Sequence, residues 1–326
     1  MKLEKRIHVS LSKVFDFDFG SVINKPKIGL AFVENREVNP TKLVRMAITA
    51  MEDARKSYGN LAIYSKAGED KIRRRLKLIY DFPKALARGD FFLVYQPKVT
   101  CRSGRFYGVE ALVRWNNKKT ESISPSEFIP IIEDTEFIFK LTEWVISQVL
   151  RDIDYWQGLG LKIKVSINVS VKDFERKDWV NLLKANQRLM KNADLICFEL
   201  TETAAISNIR KINQVINQLK TIGLKTHIDD FGTGHSNLSH LSKMDVSAIK
   251  LDRQFIQSIS SSERDLAIVK HTCSLAKALG FELIAEGVET LEDKKILESF
   301  GVNYIQGYFI ARPMMARDFL EWVKKR

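Results

Sequence analysis

Two adjacent aspartates, Asp229 and Asp230, end a short apolar run and precede a loop that contains Gly232 and Gly234. Neighbouring carboxylates repel each other, and placing them at a buried strand end costs free energy. A divalent cation would remove that cost, because carboxylate oxygens suit hard ions such as Mg²⁺ or Mn²⁺. Taken alone, the pair slightly favours the alternative of a surface helix cap ahead of Ser236. The metal interpretation therefore depends on the rest of the chain.

Six other predicted strands also place a polar or charged side chain late in, or just after, an apolar run. These residues are Glu110, Asn168, Glu199, Lys250, Glu286 and Gln306. Any one of them alone is readily explained as a solvent-facing or hydrogen-bonded strand end without a role in chemistry. In a barrel, however, the carboxyl ends of the strands converge on one mouth, where catalytic residues lie. Because polar side chains recur at the ends of seven predicted strands, a shared site is favoured over seven unrelated strand-end residues.

The residue types in this set indicate its chemistry. Five of them offer oxygen ligands, without thiolate or imidazole: Glu110, Asn168, Glu199, Asp229 and Asp230. Such a set suits Mg²⁺ or Mn²⁺ rather than zinc, and its four carboxylates could neutralise two cations about 4 Å apart for in-line phosphoryl displacement. Lys250 would supply a positive charge to orient water or stabilise the transition state, and Glu286 is a candidate base or further metal contact. His227 and the other histidines lack ligand spacing and are interpreted as structural.

The elements that must position these residues alternate between strands and helices from residue 90 onward. Eight strands are predicted, at residues 92–96, 107–113, 163–168, 195–200, 224–229, 248–251, 282–286 and 303–306. With amphipathic helices in most gaps, the pattern predicts an α/β fold, a (β/α)₈ TIM-type barrel. The first connection, residues 99–104, is too short for a crossover between parallel strands. We therefore expect a hairpin turn at Ser103-Gly104 and an antiparallel first strand.

The residues before the barrel predict a small, partial α/β segment and a linker. Residues 27–33 and 61–64 are predicted as strands that flank a helix over residues 41–56. A charged helix over residues 69–88, broken or kinked at Pro83, is expected to join the two parts. The predicted organisation is a partial domain at residues 1–66, a connecting helix at 67–89 and the barrel domain at 90–326.

Composition limits the possible classes of function. The 326 residues are 45% hydrophobic and 28% charged, with a net charge of +12 that attracts anionic ligands. The sequence has no dense Lys/Arg cluster interleaved with aromatic residues, which argues against nucleic acid as the partner. No apolar run approaches the ~20 residues of a membrane span, so no membrane segment is predicted.

Cys101, Cys197 and Cys273 form no Cys-x-x-Cys pair, which indicates a reducing compartment. Cys197 and Cys273 are predicted to lie in the core.

The motifs around these residues closely resemble the EAL family of cyclic di-GMP phosphodiesterases. The motif that names the family stands here as Glu110-Ala111-Leu112, and further motifs match in order along the chain. They are Tyr95-Gln96-Pro97-Lys98-Val99, residues 124–130, Asn168-Val169-Ser170, Glu199-Leu200-Thr201-Glu202, residues 229–234, residues 249–252, residues 285–290 and Gln306-Gly307-Tyr308. The resemblance covers about residues 80–326 and is specific, because many separated motifs agree.

The resemblance implies an enzyme that hydrolyses cyclic di-GMP to linear 5′-pGpG by two-metal activation of water, on a barrel with an antiparallel first strand. The residues implied to bind two Mg²⁺ or Mn²⁺ ions are Glu110, Asn168, Glu199, Asp229 and Asp230. The implied catalytic residues are Lys250, Glu286, Gln306 and Glu202, the last as an anchor for the loop after Asp230. The implied contacts to the dinucleotide are Gln96, Leu112, Arg114 and Glu289. Ca²⁺ is expected to bind but to inhibit, because its coordination is longer and looser.

Two alternatives stand beside this hypothesis: a receptor that binds cyclic di-GMP without cutting it, and an interaction platform without a ligand. Receptors of the first kind typically lose metal ligands, whereas this chain keeps them all. Related proteins use the loop after Asp230 and the helix that follows it as a dimer contact, so a homodimer is expected. The expected location is the bacterial cytoplasm, and a membrane anchor in a longer parent protein stays open.

Two regions qualify the resemblance. Glu136 replaces a usual glycine and His235 stands where tyrosine is frequent, and both departures concern the rim and the loop rather than the metal ligands. Residues 1–66 resemble, more loosely, the C-terminal half of a GGDEF domain, but the Gly-Gly-Asp-Glu-Phe loop is missing from the sequence. We therefore expect this segment not to make cyclic di-GMP from GTP.

Overall fold

The computed structural model describes residues 26–32, 39–56, 60–116, 122–232 and 244–325, together with residues 6, 10, 14–17 and 20–23. The chain divides into two compact units, Met1–Lys84 and Ala85–Arg326. Among the helices within these residues, none is both long enough and apolar enough to cross a membrane.

Within its described residues, the first unit contains two small sheets, a helix between two of the strands and most of a longer helix described below. Strands β1 (Val14–Phe17) and β2 (Gly20–Ile23) pair as an antiparallel hairpin, and β3 (Ile28–Leu30) and β4 (Leu61–Ile63) pair in parallel. The helix between the parallel strands is α1 (Pro40–Lys56). Gly29 of β3 lies against its backbone, since a Cβ at that position would stand 2.0 Å from the Ala47 carbonyl oxygen. The predicted strand–helix–strand pattern is therefore confirmed for this segment.

A long helix, α2 (Lys66–Arg88), follows β4 and passes through Pro83 without interruption. The helix is therefore not broken at Pro83, and the other expectation, a kink at this residue, stays a prediction. Proline removes one backbone donor from a helix and crowds the preceding turn. Here the helix nevertheless buries an apolar stripe that flanks the proline, Leu78, Phe82 and Ala85, and burial of that stripe offsets the lost hydrogen bond.

The second unit is built on a closed barrel of eight strands. They are β5 (Phe91–Thr100), β6 (Phe106–Trp115), β7 (Val165–Asn168), β8 (Ile196–Thr201), β9 (Lys225–Phe231), β10 (Ala248–Leu251), β11 (Glu282–Ala285) and β12 (Tyr304–Ile305). Each strand pairs with the next, and pairing of β12 with β5 closes the barrel. A short strand, β13 (Met314–Met315), adds to the other end of β5. The predicted TIM-type barrel and its eight strands are confirmed.

The direction of β5 is the departure from a regular barrel. This strand is antiparallel to both of its barrel neighbours, β6 and β12, whereas the pairs from β6 to β12 are all parallel. The hairpin turn between β5 and β6 includes Gly104, whose φ of 66° lies in the left-handed region that glycine tolerates best. The predicted antiparallel first strand is confirmed.

In the described part of the second unit, helices lie between most of the strands and after the last one. They are α3 (Pro125–Glu133), α4 (Phe137–Gly158), α5 (Val171–Glu175), α6 (Trp179–Ala185), α7 (Gln187–Lys191), a 3₁₀ turn (Ala193–Leu195), α8 (Glu202–Ser207), α9 (Ile209–Thr221), α10 (Arg253–Ile256), α11 (Glu263–Ala278), α12 (Leu291–Ser299) and α13 (Ala316–Lys324). Capping boxes begin two of them, through Ser170 with Asp173 and through Thr290 with Asp293. Each box satisfies backbone donors that a helix start leaves unpaired, and so fixes where a strand end passes into its helix.

An aromatic cluster anchors α3 against the first two barrel strands. The Phe128 ring lies 5.4 Å from Trp115 and 5.8 Å from Phe91, measured between ring centroids, in edge-to-face geometry. All three side chains are buried, and so are Cys197 and Cys273, as predicted. Packing of this kind sets the position of β6, the strand that carries Glu110 and Arg114.

Phe128→Ala should lower the free energy of unfolding of the barrel by about 3–5 kcal/mol, because it removes a buried ring and leaves a cavity. Urea unfolding followed by tryptophan fluorescence measures the loss. The matched control is Tyr155→Ala on α4. Tyr155 is 61% exposed, so this variant should change the free energy of unfolding by less than about 0.5 kcal/mol. A loss below about 1 kcal/mol for Phe128→Ala would show that α3 does not pack firmly on the barrel.

Candidate active site

The side chain of Lys250 lies at the centre of a carboxylate cluster inside the barrel. Lys250 is fully buried on β10. Its Nζ lies 2.6 Å from Glu286 Oε1, 2.7 Å from Glu199 Oε2, 2.9 Å from Asp229 Oδ2 and 3.4 Å from Glu110 Oε2. These carboxylates come from β6, β8, β9 and the end of β11. The strand-end residues predicted from separate parts of the sequence are therefore neighbours in space.

Amide side chains hold Glu110 in place at the edge of this cluster. Asn168 Nδ2 donates to Glu110 Oε1 at 2.6 Å, and Gln306 Nε2 donates to Glu110 Oε2 at 2.8 Å. The same Gln306 amide donates to Gln96 Oε1 at 3.0 Å, and the Gln96 amide donates to the carbonyl oxygen of Ala311. Both oxygens of Glu110 thus have fixed partners, which sets the direction in which its remaining lone pairs point.

The donor atoms fit divalent cations. Ligand atoms of Glu110, Glu199 and Asp229 lie within 4.8 Å of one another, and so do those of Asp229, Asp230 and Glu286. Asp229 belongs to both groups, so it is placed to contribute to two adjacent ions. All the donors are oxygens, which suits Mg²⁺ or Mn²⁺. The chemistry of the donor set therefore agrees with the predicted two-cation site.

The cluster holds more carboxylates than lysines, and the pKa values of these carboxylates shift in different directions. Burial raises the pKa of Asp229 to about 7, and repulsion from neighbouring carboxylates adds to the rise although Lys250 opposes it. Burial also raises the pKa of Glu286 well above its ordinary value, despite the short contact with Lys250. Burial works against ionisation of Glu199 too, but Lys250 and Lys98 outweigh it and hold its pKa well below normal. One ammonium shared among four carboxylates thus stabilises them unequally.

The backbone after Asp229 is strained beside the predicted metal ligands. Asp230 has a φ of 54°, a left-handed conformation that non-glycine residues rarely adopt, and its N–H donates to Asp229 Oδ1 at 2.8 Å. Gly232 has a φ of 98°, and a Cβ there would lie 2.8 Å from the Phe255 ring. Strain of this kind persists when the surrounding contacts impose it, and it is common at functional sites. The turn therefore needs both a glycine and an anchor.

Glu202 supplies a contact that holds this turn. It is the first residue of α8 and is buried, and its Oε2 accepts a hydrogen bond from the Gly232 N–H at 2.8 Å. Residues 233–243, which include His235 and the rest of the predicted loop, lie outside the described residues. The predicted dimer contact falls on that same stretch.

A cavity of about 270 Å³ opens beside the carboxylates. The four predicted dinucleotide contacts, Gln96, Leu112, Arg114 and Glu289, all line it. Glu110, Glu286 and Gln306 line it as well, together with Arg253, Gln257 and Tyr308. The structure thus places the predicted substrate-binding residues and part of the predicted catalytic set around one opening.

Sequence reasoning missed the residues behind Glu199. Lys98 on β5 is 1% exposed, and its Nζ contacts Glu199 Oε1 at 2.6 Å and Ser166 Oγ at 2.7 Å. His227 is buried beside them, and within the described part of the chain its ring nitrogens have no hydrogen-bond partner. Strand periodicity contained a signal for Lys98, because it lies two residues after Gln96 and so on the same face of β5.

Comparison with known proteins identifies the family to which the barrel is similar. The model of the EAL domain family matches residues 80–313. Cyclic di-GMP phosphodiesterase PA2567 of Pseudomonas aeruginosa is 31% identical over 287 residues, which are 86% of this chain and 48% of that protein. Cyclic di-GMP phosphodiesterase PdeR of Escherichia coli is 32% identical over 325 residues, which are 99% of this chain and 49% of that protein. The chain spans about half the length of these curated relatives.

Solved structures share the barrel. The PaMucR phosphodiesterase in complex with c-di-GMP has a TM-score of 0.70 at 33% identity, covering 74% of this chain and 99% of that chain. The EAL enzyme Bd1971, in a form with cAMP and cyclic di-GMP bound, has a TM-score of 0.73 at 30% identity. The match covers 88% of this chain and 77% of that chain. The family match begins at residue 80, so the resemblance of residues 1–66 to a GGDEF domain stays a prediction. Because that match extends over most of the chain, the protein belongs to the EAL domain family.

Proposed function

We propose that the barrel hydrolyses cyclic di-GMP to linear 5′-pGpG in a reaction that depends on two divalent cations. The observation that carries the proposal is the carboxylate cluster around Lys250, which opens into the cavity lined by Gln96, Leu112, Arg114 and Glu289. The relatives PA2567 and PdeR are named cyclic di-GMP phosphodiesterases, and PaMucR was solved with c-di-GMP. A phosphodiester with two guanine bases also suits the basic net charge of +12.

Five residues would hold the cations: Glu110, Asn168, Glu199, Asp229 and Asp230. Mg²⁺ or Mn²⁺ bound there would lower the pKa of a coordinated water and stabilise negative charge on the phosphate. The fit rests on the two oxygen groups that share Asp229. Hydrolysis would break one phosphorus–O3′ bond and form one bond from phosphorus to the water oxygen.

Lys250 and Glu286 are suited to handle the proton of the attacking water. Burial raises the pKa of Glu286 well above its usual range, which brings this carboxylate closer to the basicity that a general base needs at neutral pH. Lys250 Nζ lies 2.6 Å from Glu286 Oε1, so it fixes the position of that oxygen. The water proton would pass to Glu286, and the departing 3′-oxygen would gain a proton from solvent.

Arg114 and the glutamines would orient the dinucleotide. Arg114 is half-buried at the cavity wall, and its planar guanidinium is suited to pair with phosphate oxygens. Gln306 bonds both Gln96 and Glu110, so it links the wall of the cavity to the cation site. This link would keep the scissile phosphate in register with the carboxylates.

The competing function is a receptor that binds cyclic di-GMP without cutting it. The set of oxygen ligands favours the enzyme, because a receptor has no need for buried carboxylates that repel one another.

We also propose a homodimer that forms through the loop after Asp230 and the following helix, on the strength of the family resemblance. In that arrangement, association would influence the turn that Glu202 holds.

Incubation with cyclic di-GMP and Mg²⁺ should yield pGpG, detected by chromatography. Asp229→Asn should reduce the rate by at least about 100-fold, because Asp229 is placed to contribute to both ions. Ca²⁺ in place of Mg²⁺ should permit binding of cyclic di-GMP, measured by calorimetry, without appreciable product. If the wild-type protein binds the dinucleotide but forms no pGpG with Mg²⁺ or Mn²⁺, the receptor function is correct instead. Near-normal turnover by Asp229→Asn would rule out the two-cation mechanism.

Glu202→Ala should lose most activity while keeping the fold, because it removes the acceptor for the Gly232 N–H and frees the turn after Asp230. Glu202→Gln is the matched control, since its amide oxygen can still accept that hydrogen bond, and it should retain most activity. Initial rates over a range of Mg²⁺ concentrations and circular dichroism provide the two readouts. Equal, near-normal rates for both variants at low Mg²⁺ would mean that Glu202 is only the first residue of a helix.

A further inference from the structure

The two oxygens of Glu199 have different partners on opposite sides. Oε2 lies 2.7 Å from Lys250 Nζ, within the carboxylate cluster. Oε1 lies 2.6 Å from Lys98 Nζ, which comes from β5 on the other side of the carboxylate. Each oxygen of Glu199 therefore contacts one lysine, and of the two oxygens it is Oε2 that contacts Lys250 within the carboxylate cluster.

The contacts of Lys98 lie behind the site and not at its opening. Its side chain is 1% exposed, and the Glu199 side chain is fully buried. Lys98 does not line the cavity that holds the predicted dinucleotide contacts. Its Nζ has a second anchor, the Ser166 hydroxyl at 2.7 Å, on the strand next to Glu199. Substrate contact therefore does not account for this lysine.

His227 closes the same side of the carboxylate. Its Nδ1 lies 3.6 Å from Glu199 Oε1, beyond ordinary hydrogen-bond range, and its side chain is 3% exposed. Among the described residues, neither ring nitrogen of His227 has a hydrogen-bond partner. Of these two neighbours, Lys98 is therefore the one that lies within hydrogen-bond distance of Glu199 Oε1.

We infer that Lys98 is a positioning residue, which fixes the rotation of the Glu199 carboxylate so that Oε2 faces the cation site. The inference deepens the proposed function and rests on it, because Glu199 is one of the proposed cation ligands. A ligand carboxylate with a fixed partner for its other oxygen does not have to be reoriented when the ion binds. Mutation of a residue that orients a metal ligand typically lowers metal affinity by about 10–100-fold.

Removal of Lys98 would change cation affinity differently under three possible roles: an effect of charge alone, a structural role alone, or positioning of Glu199. If Lys98 acted only through its charge, its removal would make the site more negative, and Mn²⁺ would bind more tightly. If it only stabilised the barrel, its removal would lower the melting temperature and leave Mn²⁺ affinity unchanged. Positioning requires that Mn²⁺ bind more weakly although a positive charge has been removed.

The experiment is a Mn²⁺ titration of the whole chain, followed by electron paramagnetic resonance of the free ion, without substrate. Lys98→Met should weaken Mn²⁺ binding by about 10-fold or more. Ser166→Ala keeps the lysine charge but removes one anchor, so it should weaken binding by a smaller factor. Lys225→Met is the charge-matched control, since Lys225 is exposed at the start of β9, and it should leave affinity within about twofold. Melting curves and circular dichroism check the fold of each variant.

The outcomes separate this inference from the proposed function. If wild-type protein binds no Mn²⁺, the two-cation function itself fails. If wild-type protein binds Mn²⁺ and Lys98→Met binds it equally or more tightly, the positioning role is wrong while the function stands. In a Glu199→Gln background, Lys98→Met should add less than about twofold, because the oriented carboxylate is already gone. If Lys98→Met does not fold, Ser166→Ala decides, and unchanged Mn²⁺ affinity in that variant overturns the inference.

Discussion

The contact of one buried ammonium with four carboxylates is the interaction on which the rest of the site depends. Lys250 holds together Glu110, Glu199, Asp229 and Glu286, which would otherwise repel one another in the barrel interior. Burying several like charges costs free energy that a single cation does not fully offset. The site is therefore unfavourable by itself, and under the proposed function divalent cations would offset this cost.

The barrel supplies the rigidity that such a site needs. Its carboxylates stand on separate strands whose backbone hydrogen bonds fix their spacing, and the parallel register places Asn168 beside Glu199. The antiparallel β5 contributes from the opposite direction, because its inward face carries both Gln96 and Lys98. Residues on rigid strands hold their geometry better than residues on loops, which is why the exception, the turn after Asp230, needs Glu202.

Strand ends and short connections were the parts of the molecule that the sequence predicted well. The hairpin between β5 and β6 followed from loop length alone, and the converging polar residues followed from the parallel strands after it. The continuity of α2 through Pro83 was not predictable, because the tertiary burial of its apolar stripe decides it. Lys98 was missed for a related reason. Its role depends on a contact with Glu199, 101 residues away in sequence, and local patterns carry no direct information about such distances.

The most direct measurement is the unfolding free energy of wild type and Asp229→Asn at pH 8, with EDTA and with Mg²⁺. Burial raises the folded-state pKa of Asp229 to about 7, so its ionised form at pH 8 destabilises the folded protein relative to the unfolded chain. With EDTA, we expect Asp229→Asn to be more stable than wild type, and with Mg²⁺ we expect wild type to gain more stability than the variant. A variant that is less stable in EDTA and gains as much from Mg²⁺ would contradict a charge-strained site that cations relieve.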